Sequence, residues 1–214
     1  MKDNLVSPAL FAFASGLMGI LGYGFLIGYL VLRSDSGDTW ILMNRLHDIA
    51  CTFQFLFLIP VISGVYSIMC PNSPYSKKMT FIIGIVAAFM TSLCLILIFV
   101  KLVSEIMYMV PQGLVGISLI GINLQRGGLI SLGLRIFGVI VGAGLLLTGI
   151  FPLSFAFLVS MDALRIPAAP MREFPQTSAN NFLHILLVIG SFLGVITLPF
   201  WTILLGKALL KSST

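Results

Sequence analysis

The sequence predicts an all-α fold, a polytopic transmembrane helical bundle of about five spans plus one short interfacial or re-entrant segment. Three observations predict it. Of 214 residues, 58% are hydrophobic and 9% charged, against roughly 45–50% and 25% in soluble domains. The mean hydropathy is +1.10, a value at which helices in water would expose apolar surface on every face, whereas lipid leaves that surface satisfied. The apolar residues also cluster in runs long enough for a hydrocarbon core of about 30 Å, which takes about 20 residues. Residues 1–214 are then a single transmembrane helical domain, because no stretch is polar enough for a second folded unit.

The first span is expected over about 8–32. Pro8 suits a first helical position, where its missing N–H does no harm. The run exceeds a signal-peptide core and no small-residue cleavage site follows it, so it reads as a retained span. Arg33 to Asp38 forms a polar loop, and Trp40 is an interfacial anchor. The second span covers about 46–69, with Asn44 as cap and a kink at Pro60. Cys70-Pro71-Asn72-Ser73-Pro74 then gives a strong stop and turn.

The third span is expected over about 79–105, continuing apolar to Val110 before Pro111-Gln112-Gly113 breaks it. About 30 helical residues would reach roughly 45 Å, more than the core requires. Residues 113–124 are apolar but too short to span, which makes them the interfacial or re-entrant piece. Asn123 to Gly128 closes that piece. The fourth span covers about 129–159, with Arg135 near its start and Pro152 near its end. The polar connection from Asp162 to Asn181 carries Pro167, Pro170 and Pro175 and reads as an extended surface loop. The fifth span, about 182–205, ends at Lys207 and Lys211, whose side chains can snorkel to headgroups.

The formal net charge is +5 and the pI about 9.3. The basic residues sit in loops and at span ends, the positions of headgroup anchors. No basic stripe with interleaved aromatics exists, so membrane lipids rather than nucleic acid are the expected partners. With five spans the Lys and Arg residues divide almost evenly between the two faces, and orientation stays open. Cys51 and Cys94 lie in apolar spans and pack as small hydrophobes. Cys70 lies at a surface, and no metal-ligand spacing is present.

Small residues form the clearest pattern. Gly24 and Gly28, Gly138 and Gly142, and Gly190 and Gly194 each repeat GxxxG, and Ser15 with Gly19 makes a further small pair. Four-residue spacing puts both members on one helix face and lets a neighbouring backbone approach closely. A short echo links Gly22-Tyr23-Gly24 and Leu46-His47 to Gly142-Ala143-Gly144 and Leu183-His184. With five spans it would be an inverted repeat. Gly22-Tyr23-Gly24 lacks the preceding Thr-Val of a potassium filter, since Ile20-Leu21 stand there.

His47 and His184 are the only imidazoles, hence the candidate ligands for a haem or pigment. A shared haem needs both at one depth on facing helices. Five spans would place them at opposite faces, and a sixth crossing by 113–124 would place them at one. Lys101 and Glu105, at i and i+4, form a possible polar site at the end of the third span. The middles of the spans carry Gln54, Thr91, Ser92, Thr148 and Thr197 but no ionisable relay. No nucleophile with a base is visible, which argues against an enzyme. The expected function is an accessory or scaffold subunit of a larger membrane complex. The alternative is a binder of a hydrophobic ligand or prosthetic group (lipid, quinone, haem or pigment), and the third reading is a small transporter or channel for a neutral solute.

Overall fold

A computed structural model describes residues 5–32, 38–69, 75–125, 130–166, 174 and 177–213, and these form an all-helical bundle. The helices are α1 Val6–Leu32, α2 Thr39–Met69, α3 Tyr75–Phe99, α4 Met109–Asn123, α5 Leu132–Leu158, α6 Ser178–Gly190 and α7 Leu198–Ser213. A π-helical segment, Ser191–Ile196, joins α6 to α7. Five stretches are long and apolar enough to cross a membrane: α1, Thr39–Ser67 of α2, Lys78–Phe99 of α3, α5, and the α6–π–α7 run from Ser178 to Ser212. The shorter apolar helix α4 accompanies them.

The element starts follow local hydrogen bonding. Ser131 caps α5 by accepting from the Leu134 N–H, and Thr177 caps α6 by accepting from the Asn180 N–H. Each satisfies an amide that the helix itself leaves open. The last helix therefore starts at Ser178, ahead of the expected Phe182. The helix α2 also starts early. The Asp38 carbonyl accepts from the Ile41 and Leu42 amides, which draws Trp40 to Arg45 into the helix. Asn44 is an interior residue of α2, not its cap.

The third span departs from expectation in a different way. The helix α3 stops at Phe99, and Lys101 takes a left-handed φ of 60°, which L-residues avoid at a cost of about 1–2 kcal/mol. Turns carry the chain to Tyr108 and α4 begins at Met109. Pro111 therefore lies in the first turn of α4, where no intrahelical partner for its N–H is needed. The expected break at Pro111-Gln112-Gly113 is in fact the opening of a helix.

Close contacts give every pairwise direction. Gly19 and Gly28 of α1 meet Gln54 and Met43 of α2; Gly84 and Thr80 of α3 meet Ser118 and Gly121 of α4. Gly113 and Gly116 of α4 meet Gly149 and Gly142 of α5, and Gly16 and Gly206 link α1 to α7. In each pair the numbers rise on one helix as they fall on the other, so neighbours are antiparallel. The helices form a ring, α1–α2–α3–α4–α5, closed by the α6–π–α7 run against α5 and α1. Because α4 adds a sixth direction, α2 and α6 both begin at the same end of the bundle.

The centre of the ring is filled by Phe55, Leu58, Ile62, Val115, Leu119 and Leu145, all almost fully buried. A second cluster, Phe151, Phe155, Ala163, Phe174 and Leu183, closes the end at which α6 begins. Leu17, Ile27, Val86, Ile96, Phe157 and Phe192 point outward and exposed, the distribution that lipid-facing helices need.

Candidate functional site

The end of the ring where α2 and α6 begin gathers His47, Asp48, Tyr23 and Tyr108. Because α2 starts at Thr39, His47 and Asp48 sit more than two turns inside it rather than opening it. His47 faces α1, with Nδ1 2.9 Å from the Gly22 carbonyl oxygen and Cys51 Sγ 3.7–3.8 Å from the ring nitrogens. The hydroxyl of Tyr23, one residue along α1, donates to the Val195 carbonyl of the π segment. Tyr108 enters from the start of α4 and packs on the central cluster. Burial raises its phenol above the ordinary value, and Cys51 and Asp48 act in the same sense. It is a neutral donor at physiological pH.

Below Tyr108 lies Gln112, 1% exposed, whose Oε1 has no hydrogen-bond partner. Register places it near the buried Gln54. Six residues back from Ser118 on α4 is Gln112, and the same step forward from Gly84 on α3 is Met90. Ser92 of α3 donates to the Thr52 carbonyl, so Met90 stands level with Gln54. Three interior hydroxyls are satisfied locally, Thr91 on the Ala87 carbonyl, Thr148 on Gly144, and Thr197 on Leu193, whereas the buried Ser118 Oγ, like Gln112 Oε1, has no partner. Such back-bonding removes the three threonines as open polar sites.

The two histidines share an end of the bundle but are not brought together. His184 sits against Phe151 and Phe155 of α5, with ring centroids 5.8 Å away in each case. Val195 is level with Tyr23, and His184 lies eleven residues further along, about 16 Å at helical rise. A shared haem ligation is not formed. The echo between the two Leu-His pairs also ends at sequence, since one ring meets a carbonyl of a glycine and the other meets two phenyl rings. With α1 and α5 running in the same direction, it is not an inverted repeat.

Lys101 and Glu105 do not lie one turn apart on a helix, because α3 has already ended. Both are exposed, and the only ion pair among the described residues joins Arg165 to Asp162 at 2.8 Å. Glu105 is instead within electrostatic reach of Asp48. Cys70, Arg126, Pro167, Pro170 and Pro175 fall outside the described residues.

The glycine pairs divide. Gly138 and Gly142 of α5 lie against Asn123, Gly116 and Ile120 of α4, while Gly190 and Gly194 lie against Thr148, Gly144 and Leu145 of α5. A Cβ on Gly142 would stand 2.7 Å from the Gly116 oxygen, and one on Gly190 would stand 2.8 Å from the Thr148 nitrogen. Gly28 meets only the Met43 side chain, at 3.3 Å, and Gly24 has nothing within 4 Å. The buried face of α1 is that of Ser15, Gly19 and Gly22, with Ser15 donating to the Gln54 carbonyl at 2.9 Å.

Two grooves flank α3 on its outward side. One, of about 320 Å³, runs between α2 and α3 past Asp48, Ile49, Phe53, Leu56, Ile96 and Phe99. The other, of about 490 Å³, runs between α3 and α4 past Ile83, Val86, Met90, Cys94, Val110 and Leu114. Both are apolar along their length. Sequence reasoning missed Asp48, Tyr108 and Gln112 as site residues. For Asp48 a signal was present: Trp40-Ile41-Leu42-Met43 extends the apolar run backwards, and any helix that includes it carries Asp48 inward. No group of three or more His, Cys, Asp or Glu residues able to hold a metal occurs among the described residues. Comparison with protein-family models, with curated proteins and with solved structures finds no match.

Proposed function

We propose that the chain is an integral, multi-pass membrane protein that works by non-covalent binding from within the bilayer, taking an apolar or amphipathic ligand such as a lipid or quinone into lateral grooves beside α3. One observation carries this reading. The α2–α3 and α3–α4 junctions each leave an apolar trough, of about 320 and 490 Å³, inside the range of ligand pockets. Helix junctions that served only packing would close up, as α4–α5 does by backbone approach at its glycines.

Native mass spectrometry of the protein in mild detergent tests the reading. The expected result is retained lipid or quinone, with one bound molecule lost in Ile96→Trp and another in Val86→Trp, each of which fills one groove from an exposed position. A protein that carries no such molecule, or that carries the same number in both variants, would overturn it.

A second reading, an accessory or scaffold subunit of a membrane complex, is favoured by Gly24. It stands in open space on the exposed face of α1 beside Leu21 and Ile27, where a partner helix could approach closely. A complex of this protein with another subunit should dissociate in Gly24→Val and persist in Gly133→Val, whose site is also open. A complex unmoved by Gly24→Val would remove this reading.

A further inference from the structure

We infer that the α2–α3 groove takes a single-chain zwitterion whose ammonium is joined directly to its chain and whose anionic group lies beyond, so that chain, cation and anion meet the trough, Asp48 and Arg45 in turn. This rests on the lateral-binding reading above and names the ligand class of one of its two sites.

The order of groups along α2 carries the assignment. Ile49, Phe53 and Leu56 line the groove opposite Ile96 and Phe99 of α3, and Asp48 is the one ionisable residue in its walls. From Asp48 to Leu56 the trough runs about 12 Å at helical rise, and its volume of about 320 Å³ suits one chain. Arg45 continues the same face one turn outward, with its Cζ 5.4 Å from the centre of the Phe99 ring. Phe99 is the last residue of α3, so the guanidinium stands level with the end of that helix and the carboxyl stands one turn deeper. Outward from the hydrocarbon, the protein presents apolar wall, then anion, then cation.

The other charges at this end leave that order intact. Lys101 and Glu105 are both exposed in the turns past α3 and are opposite in sign, so Arg45 sets the outer charge. His47 faces away, toward the Gly22 carbonyl of α1. Neither Arg45 nor Asp48 forms an ion pair with a described residue, the one such pair being Arg165–Asp162. A carboxyl beside hydrocarbon is costly unless a cation reaches it, and the groove opens sideways to lipid.

A common phospholipid has its phosphate next to the chains and its amine outside. Seated in this trough it would set phosphate against Asp48 and ammonium against Arg45, like charge on like in both places. An amphiphile with the amine next to the chain brings opposite charge to each. The guanidinium accepts a carboxylate or a phosphate with the same two-pronged geometry, so the site fixes where the anion stands rather than which anion it is.

The test uses two zwitterions with the same twelve-carbon chain and opposite charge order. Dodecyl sulfobetaine has its ammonium next to the chain and its sulfonate outside, whereas dodecylphosphocholine has its phosphate next to the chain and its ammonium outside. Both are added, below their micellar concentrations, to the full-length protein in maltoside detergent, and native mass spectrometry counts the bound molecules. The expected result is a roughly tenfold preference for the sulfobetaine, about what two half-exposed ion pairs supply, with both amphiphiles released in Ile96→Trp. Asp48→Asn and Arg45→Gln should each bring the preference toward unity. The exchanged pair, Arg45→Glu with Asp48→Lys, should favour the phosphocholine. Equal retention of the two by the parent protein, or a preference that survives Asp48→Asn, would overturn the inference while release in Ile96→Trp kept the lateral-binding reading standing. A parent that retains neither amphiphile, or retention unmoved by Ile96→Trp, would remove both.

Discussion

The hydroxyl of Tyr23 on α1 donates to the carbonyl of Val195 on the π segment, and the reason lies four residues further on. Position 199 is proline, which has no N–H to return to Val195 and whose ring crowds that carbonyl. The helix thus exposes one acceptor in the apolar interior, and a phenol from the neighbouring helix fills it. Tyr23→Phe should lower stability by about 0.6–1.7 kcal/mol, the range of interhelical hydrogen bonds in membrane proteins. Thermal unfolding in detergent measures it. Pro199→Ala restores a helical donor, so the double variant should lose less than the sum of the single ones. Strict additivity would show that Tyr23 does not act through Val195.

The α4–α5 contact has no room for side chains. A Cβ on Gly113 would stand 2.8 Å from the Gly149 Cα. Gly113→Val should force the helices apart and cost about 1–3 kcal/mol, whereas Gly24→Val in open space should change stability by less than about 0.5 kcal/mol. A shift in melting temperature for the first and none for the second checks this. Equal shifts would mean that the glycine contacts are not what joins the two helices.

Lys101 holds a left-handed backbone where α3 gives way to turns. Lys101→Gly relieves that strain without removing an ion pair, and should raise stability by roughly 1 kcal/mol. The comparison variant is Lys101→Ala, which keeps the Cβ and should give no gain. A rise in melting temperature for glycine alone is the diagnostic outcome.

The ring directions give the protein two unlike ends. Lys77, Lys78, Arg135, Lys207 and Lys211 lie at the end where α3 and α5 begin and α7 finishes. Arg45, Lys101 and Arg165 lie at the other, together with Asp38, Asp48, Glu105 and Asp162. Among the described residues the basic excess lies at the first end, and the positive-inside rule predicts that this end faces the cytoplasm. In a variant with its own cysteines changed to serine, Lys207→Cys should react with an impermeant maleimide only after cells are opened. Asp162→Cys should react in intact cells. The reverse pattern would invert the orientation.

Much of this architecture is visible in the chain itself, because a span is a local property: length and apolarity alone mark α1, α3 and α5. The boundary errors have a common origin. Trp40 reads as an interfacial anchor outside the span, and only the Asp38 carbonyl, accepting the Ile41 and Leu42 amides, shows that it lies in the first turn of α2. The helix α4 is harder to read, because 15 residues fall below the length that announces a crossing. Its direction is set by Gly113, Gly116 and Ser118 meeting partners on α5 and α3, which are relations between distant segments. The candidate site was the least legible part. The contact of Asp48 with a groove depends on how α2 and α3 lie together, and nothing in its immediate neighbours encodes that.

The shortness of α4 has a consequence for the surrounding membrane. Its 15 residues extend about 22 Å, beside neighbours of 25 and 27 residues, and Leu114 and Ile117 are its exposed apolar contacts. Along this one strip the protein's oily belt is narrower than elsewhere on its circumference. Acyl chains beside α4 must compress or splay, and headgroups settle inward there. The expected result is a one-sided dimple in any host bilayer, and a better match to a thin membrane than to a thick one.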